Sequence, residues 1–367
     1  MRIALVAPPW LPVPPPLYGG TEAVIDRLAR GLVGAGHEVC LFATGDSTCP
    51  VPLAWSFETA MAGQMGDSVT ELRHLVHAYE AVQDFEIIHD HTVFGPNYSL
   101  RVGDLPVVTT NHGPFSDSLK TVYRSIAGSI PIIAISHDQA AMADDVPIAA
   151  VIHHGVDPDR FPVGAGDGGY LCFLGRMDAT KGVREAVVAA RAAGVPLLIA
   201  AKNRDLREKE YFESQVRPLL GGDIEYLGEI GTQDKLDLLC GARALINPIQ
   251  WHEPFGLVMV EALACGTPVL AFPNGAAPEI VDHGTTGFLC HDLVDSIDHV
   301  DDLDRIACRL AVEQRFSSER MVADHLDLYA SMLNRRAQAP HPTIVTANRH
   351  EREVSRRRHP RSVAGIG

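Results

Sequence analysis

Short, continuous apolar runs alternate along the chain with longer segments whose apolar residues recur every three or four positions. RIALVA (2–7) is apolar after its first residue, as a strand covered on both faces must be. From Thr21 to Ala35 the positions Ala23, Val24, Leu28, Leu32 and Val33 keep helical spacing, and Gly36 offers a left-handed cap behind them. CLFA (40–43) predicts the next strand. An amphipathic helix follows near 68–82 on Val69, Leu72, Leu75, Val76, Tyr79 and Val82, and strands are expected at EIIH (86–89), VVTT (107–110), IIAI (132–135) and AAVI (149–152).

After RFPVGAGDGGY the alternation restarts. YLCFLG (170–175) reads as a strand, VREAVVAARAAG (183–194) as a helix and PLLIA (196–200) as a strand, with further strands at IEYLG, ALINP, PVLAF and GFL. The pattern predicts an α/β chain with two parallel, helix-flanked sheets joined near residues 162–169. Ligands of such sheets sit beyond the carboxyl ends of the strands, so the natural pocket is the cleft between two domains.

Composition narrows the class. The chain has 367 residues, enough for two cores, with 46% apolar and 21% charged residues, as in soluble globular proteins. No apolar run approaches the roughly 18 residues of a membrane span. The opening MRIALVAPPWLP reads as a strand running into a loop rather than as a signal peptide. Seven cysteines (40, 49, 172, 240, 265, 290, 308) are scattered without a C-x-x-C pair, which predicts reduced thiols and a cytoplasmic setting. The formal charge is −15, yet eight Arg and two Glu lie from Arg335 onward, so the body is more acidic than the total suggests. Such a body argues against nucleic acid or an anionic membrane as partner. The Arg-, Pro- and Ser-bearing stretch 335–367 is expected to be a disordered basic tail.

Three segments carry chemistry. In LYGGTEAV (17–24), Gly19 and Gly20 leave backbone N–H groups uncovered at a helix start, a place for phosphate or carboxylate; a tight turn with Thr21 as N-cap is the plainer reading. This stretch has neither G-x-G-x-x-G spacing nor a P-loop lysine. In GRMDATKG (175–182), Arg176 ends a buried strand and Lys181 opens a helix, where a cation opposes the helix dipole unless an anion joins it. Two cations there suit a diphosphate; the plainer reading pairs one of them with Asp178. In EPFGLVMVE (253–261), Pro254, Phe255 and Gly256 form a strand-to-helix turn. Glu253 precedes that turn and Glu261 lies one helical turn further in, among Val258, Met259, Val260 and Leu263. Both carboxylates can accept hydroxyls of a sugar or ribose while the amides receive an anion.

His89, His91 and His112 each end a predicted strand on the cleft side, and His89 and His91 share a face. A metal at HDH lacks completing ligands, and the D-x-D pairs Asp157/Asp159 and Asp302/Asp304 read as chance matches. His112, before Gly113 and Pro114, is the best catalytic-face histidine.

Taken together, YGGTE, the NHG segment, HHGVDPDRF, GRMDATKG, EPFGLVMVE, ACGTPV and GFL resemble the retaining GT-B glycosyltransferases, in particular family four, over residues 1–334. The resemblance implies a GT-B architecture of two Rossmann-like domains facing across a cleft. Residues 1–165 would form the acceptor-side domain, 166–318 the donor domain, and 319–334 a helix returning to the first. It implies that Arg176 and Lys181 bind the donor diphosphate without a metal or other cofactor, and that Glu253 contacts sugar hydroxyls beside the amides of Phe255, Gly256 and Leu257. Glu261 would hold the ribose, Gly19 and Gly20 would flank the diphosphate, and His112 would lie by the transferred sugar. The implied partners are a nucleotide-sugar donor, with a UDP-sugar favoured over GDP-mannose, and a small-molecule or glycan acceptor gripped by the 8–20 loop. His154 stands where the family has Asn, and Trp251-His252 opens the donor loop; both leave the sugar open. The rival readings are a nucleotide-sugar-binding protein without turnover and a dinucleotide-dependent oxidoreductase.

Overall fold

Strands that are apolar at every position need cover on both faces, and the computed structural model, which describes residues 1–338, supplies it twice. The first sheet comprises β1 (Arg2–Val6), β2 (Glu38–Ala43), β3 (Leu53–Trp55), β4 (Ile87–Asp90), β5 (Val107–Thr110), β6 (Ile132–Ala134) and β7 (Ala150–Val151), ordered β3-β2-β1-β4-β5-β6-β7. The second comprises β8 (Leu171–Arg176), β9 (Leu197–Lys202), β10 (Ile224–Gly228), β11 (Ala244–Asn247), β12 (Val269–Ala271) and β13 (Gly287–Leu289), ordered β10-β9-β8-β11-β12-β13. Every pairing between these strands is parallel. The α/β, GT-B-like architecture expected from the chain is the one observed.

Alternate residues of β1 show why its run is unbroken. Ile3 and Leu5 join the core under the helix Gly20–Gly34, with Val24, Ile25, Leu28 and Leu32. Ala4 and Val6 join the opposite core with Leu75, Tyr79 and Ile88. Each fully buried Leu or Ile contributes roughly 1.5–3 kcal/mol. The second sheet divides likewise: Cys172 and Leu174 lie on the face of Met259, Val260 and Leu263, and Leu171 and Phe173 on the face of Val183 and Val187.

Details differ from the sequence reading. β3 is an edge strand that periodicity did not indicate, and β7 keeps two residues of AAVI. In the helix Ser68–Ala81 the apolar set splits: Leu75 and Tyr79 are buried, whereas Val69, Leu72 and Val76 face out. Gly36 carries the expected left-handed φ of 87°. The first helix begins at Gly20 with Gly19 as its N-cap, so Thr21 is not the cap.

The glycine-rich joint is seated rather than loose. Gly164, Gly166 and Gly168 donate in turn to the carbonyls of Cys265, Cys240 and Gly241. A Cβ on Gly164 would collide with the Cys240 backbone, which explains a glycine there. The chain crosses back at Val156 and Ser317, where Val156 N–H donates to Phe316 O at 2.9 Å and Ser318 N–H to Val156 O at 2.7 Å. The final helix, Ser318–Gln338, then lays Met321, Val322 and Tyr329 into the core of the first domain. It runs four residues past the expected start of the basic tail; the remainder of that tail, 339–367, lies outside the described residues.

Candidate active site

β8 delivers Arg176 to the carboxyl edge of the second sheet, and a single 3-10 turn, Ala179–Lys181, follows. Asp178 spends its carboxylate on that turn, accepting from Thr180 N–H at 2.8 Å and from the Thr180 hydroxyl. It therefore does not pair with Lys181. Lys181, 9% exposed, instead donates from Nζ to Glu253 Oε2 and lies 5.3 Å from the Trp251 ring centre. Trp251 Nε1–H donates to the same carboxylate at 2.7 Å. Arg176 makes no ion pair among the described residues.

Gly256 has φ 99°, a conformation that disfavours side chains, and a Cβ there would strike Met259. This turn starts the helix Leu257–Ala264. Its Glu261 is buried, and its two oxygens face cations: Lys235 Nζ at 2.9 Å and Arg27 Nη2 at 3.4 Å, the latter reaching across from the first domain. Burial pushes the Glu261 carboxyl up, but Lys235 and Arg27 outweigh it and hold it below its ordinary value. A charged carboxylate is thus kept in an apolar helix.

The first domain brings Gly19 and Gly20 opposite. A Cβ on Gly20 would lie 3.5 Å from Leu257 Cδ1, so the amino ends of two helices, one per domain, face each other. Tyr18, beside them, donates its backbone N–H to Glu229 across the cleft at 3.2 Å. Although Tyr18 is 39% exposed, its desolvation by the surrounding chain, with Glu253 next, pushes its phenol upward. Glu22, one turn in, is 5% exposed, and burial pushes its carboxyl up to about 7.

His112 sits at the β5 end, but both its ring nitrogens meet other imidazoles: Nε2 lies 2.9 Å from His91 Nδ1, and Nδ1 lies 3.3 Å from His154 Nε2. His89 and His91 do share a face, with ring centres 4.0 Å apart and planes tilted by 34°, and His325 of the final helix lies 5.3 Å from His89. Burial pushes His112 down to about 3 and His325 to about 4, so the rings are neutral near pH 7. Asp90, between the two strand histidines, accepts from Tyr79 Oη–H and from Thr92, so HDH does not form a ligand set. The D-x-D residues are spent structurally: Asp157 pairs with Arg160 at 3.0 Å, and Asp304 caps the helix Arg305–Arg315.

Arg176, Lys181, Glu253, Phe255, Gly256, Leu257, Glu261, Gly19 and Gly20 are therefore brought to one cleft. The sequence reading missed Tyr18, Arg27 and Lys235, and named Trp251 only as a departure at the start of the donor loop. Only the Trp251 indole, two residues from Glu253, left a local signal of its role. The arrangement concentrates fixed cations and helix amino ends around paired carboxylates, suiting a polyhydroxylated anion.

Comparison with known proteins agrees with that chemistry. Residues 18–160 match the family model described as Glycosyltransferase Family 4, and residues 168–304 match the one described as Glycosyl transferases group 1. The phosphatidyl-myo-inositol mannosyltransferase of Mycolicibacterium smegmatis is 29% identical over 343 residues, covering 84% of each chain. AviGT4, a glycosyltransferase involved in avilamycin A biosynthesis, superposes with a TM-score of 0.67 at 25% identity, over 91% of this chain and 98% of its own. The sucrose-phosphate synthase of Thermosynechococcus elongatus shares the fold, with a TM-score of 0.74 at 21% identity, over 91% of this chain and 99% of its own.

Proposed function

The chain belongs to the GT-B glycosyltransferases of the family-four and group-one kind, and we propose that it is a retaining enzyme moving a hexosyl group from a nucleoside-diphosphate sugar to an acceptor hydroxyl. The observation that carries this reading is the facing pair of helix starts, Gly19–Gly20 and Gly256–Leu257, beside the Lys181–Glu253 pair. Breaking the sugar–phosphate bond builds negative charge on the departing diphosphate. Arg176, Lys181 and the amides of Phe255, Gly256 and Leu257 would meet that charge, stabilising the transition state more than the ground state.

In this reading Lys181 turns from Glu253 toward the phosphate, and the freed Glu253 oxygen accepts hydroxyls of the donor sugar. Glu261, kept charged by Lys235 and Arg27, accepts the ribose hydroxyls. The fixed cations take the place of a divalent ion at the diphosphate, so no metal is needed. Retention follows if the departing phosphate oxygen accepts the acceptor's proton as the new bond forms on the same face; no protein nucleophile enters. His112, with both ring nitrogens engaged by imidazoles, would shape the sugar side rather than carry protons.

The donor is tested by thermal shift in EDTA with UDP, GDP, ADP, their hexose conjugates and NAD. A relative named as a mannosyltransferase puts GDP-mannose beside the UDP-sugars in that panel. A ligand at 100 times its dissociation constant adds about 2.7 kcal/mol. A shift with one nucleoside diphosphate and its sugar supports the reading and names the base. A shift that needs added metal, or one confined to NAD, overturns it. For the acceptor we favour a small molecule or glycan, since the acidic body is poorly matched to an anionic lipid surface.

A further inference from the structure

At the seam where the two domains touch, on the far side of Phe255 from the Lys181–Glu253 pair, three metal-competent side chains that the transferase reading does not use meet. Glu279 belongs to the short helix Ala277–Ile280 of the donor domain, whereas His137 and His153 belong to the first domain. One ligand atom from each lies within 4.8 Å of the others. Glu279 is aimed before any ion arrives: its Oε2 accepts from His137 N–H at 2.8 Å and its Oε1 from Asp138 N–H at 2.7 Å. Backbone donors that orient a carboxylate in this way are what supporting shells of metal sites provide. His153 Nε2 already lies 2.7 Å from Glu279 Oε2, while the His137 ring is exposed and makes no hydrogen bond among the described residues.

We propose that His137, His153 and Glu279 form a zinc-type transition-metal site that clasps the two domains. Two imidazoles and one carboxylate suit zinc rather than magnesium or calcium, which prefer all-oxygen shells. Ligand atoms around a tetrahedral zinc lie about 3.3 Å apart, by its bond lengths. Binding would therefore draw the exposed His137 ring inward and open the 2.7 Å His153–Glu279 contact slightly. Coordination through His153 Nε2 leaves the ring proton on Nδ1 and exchanges one hydrogen bond to Glu279 for the ion. The fourth position is left to water. Because Glu279 and the histidines sit on opposite domains, the ion resists opening of the cleft, and His153, stacked on Phe255 at 5.7 Å, places that restraint beside the donor loop.

The test uses the full chain with no affinity tag, titrated with zinc chloride by calorimetry, with hydrogen exchange read at the seam. Wild type should bind one zinc per chain at this site, with slower exchange around 137–138 and 277–280. His137→Ala keeps its backbone bond to Glu279 and the His153–Glu279 contact, so in EDTA it should melt as wild type does. In zinc its affinity should fall about ten-fold or more. His153→Ala should lose the site as well. Equal zinc affinity in wild type and His137→Ala, or no zinc bound by wild type, overturns the proposal. Neither readout depends on sugar transfer, so the site stands or falls apart from the transferase reading.

Discussion

On the donor side of the cleft, buried Lys181 pairs with half-buried Glu253, and buried Glu261 with half-buried Lys235. On the amino-terminal side, His89, His91, His112, His154 and His325 gather as uncharged rings. The difference follows from what each group has near it. The two carboxylates have cations within hydrogen-bond reach, and at Glu261 these outweigh the cost of burial. The histidines have mainly one another, so burial, then neighbouring imidazoles, drives His91 and His154 well below their ordinary value. One wall therefore carries full charges that can answer charge developing in a reaction, and the other is backed by a buried, neutral cluster of imidazoles that gives shape.

The largest expected effect tests the charged wall. Lys181→Ala and Arg176→Ala should each lose roughly 2–4 kcal/mol of transition-state stabilisation, seen chiefly in kcat with saturating donor. Turnover within about two-fold of wild type would mean that the pair orders the loop without serving the leaving group. Next comes Glu261→Ala, expected to weaken nucleoside-diphosphate binding by about 1.5–3 kcal/mol, the range for hydrogen bonds to a charged group. Its preference among donor sugars should be unchanged; an altered sugar preference would exchange the roles given to Glu253 and Glu261.

The neutral wall is tested by acid. A histidine whose folded pKa is depressed stays neutral in the folded chain while the unfolded chain gains a proton below about pH 6.5. Stability is therefore full above that pH and is lost as pH falls toward about 4 for His325. Urea unfolding of His325→Leu between pH 6 and 5 should show a slope shallower than wild type by about 1.4 kcal/mol per pH unit. Parallel slopes would show that His325 is charged in the folded chain. The smallest effect is expected for Trp251→Phe, which removes one hydrogen bond to Glu253 and should cost about 0.5–1.5 kcal/mol in kcat/KM, with the melting point little moved.

Much of the fold was legible because its determinants are local. Unbroken apolar runs announced strands covered on both faces, three- and four-residue spacing announced the helices over them, Gly36 marked a left-handed cap, and Gly256 marked a strand-to-helix turn. The candidate site was half legible for the same reason. Glu261 among apolar neighbours suited a solvated face poorly, and His89 and His91, two apart on a strand, could share one. Partners were another matter. Lys181 meets Glu253 across 72 residues, although Asp178 lay three positions away, because Asp178 is committed to the backbone of its own turn. Arg27 meets Glu261 across 234 residues, and His325 reaches His89 only because the final helix returns to the first domain. Sequence periodicity determined which way most side chains point within their own elements, with Val69, Leu72 and Val76 as exceptions. Only the packing of one domain against the other decided what each points at, since a charge or an imidazole takes its pKa from neighbours that chain order does not bring together.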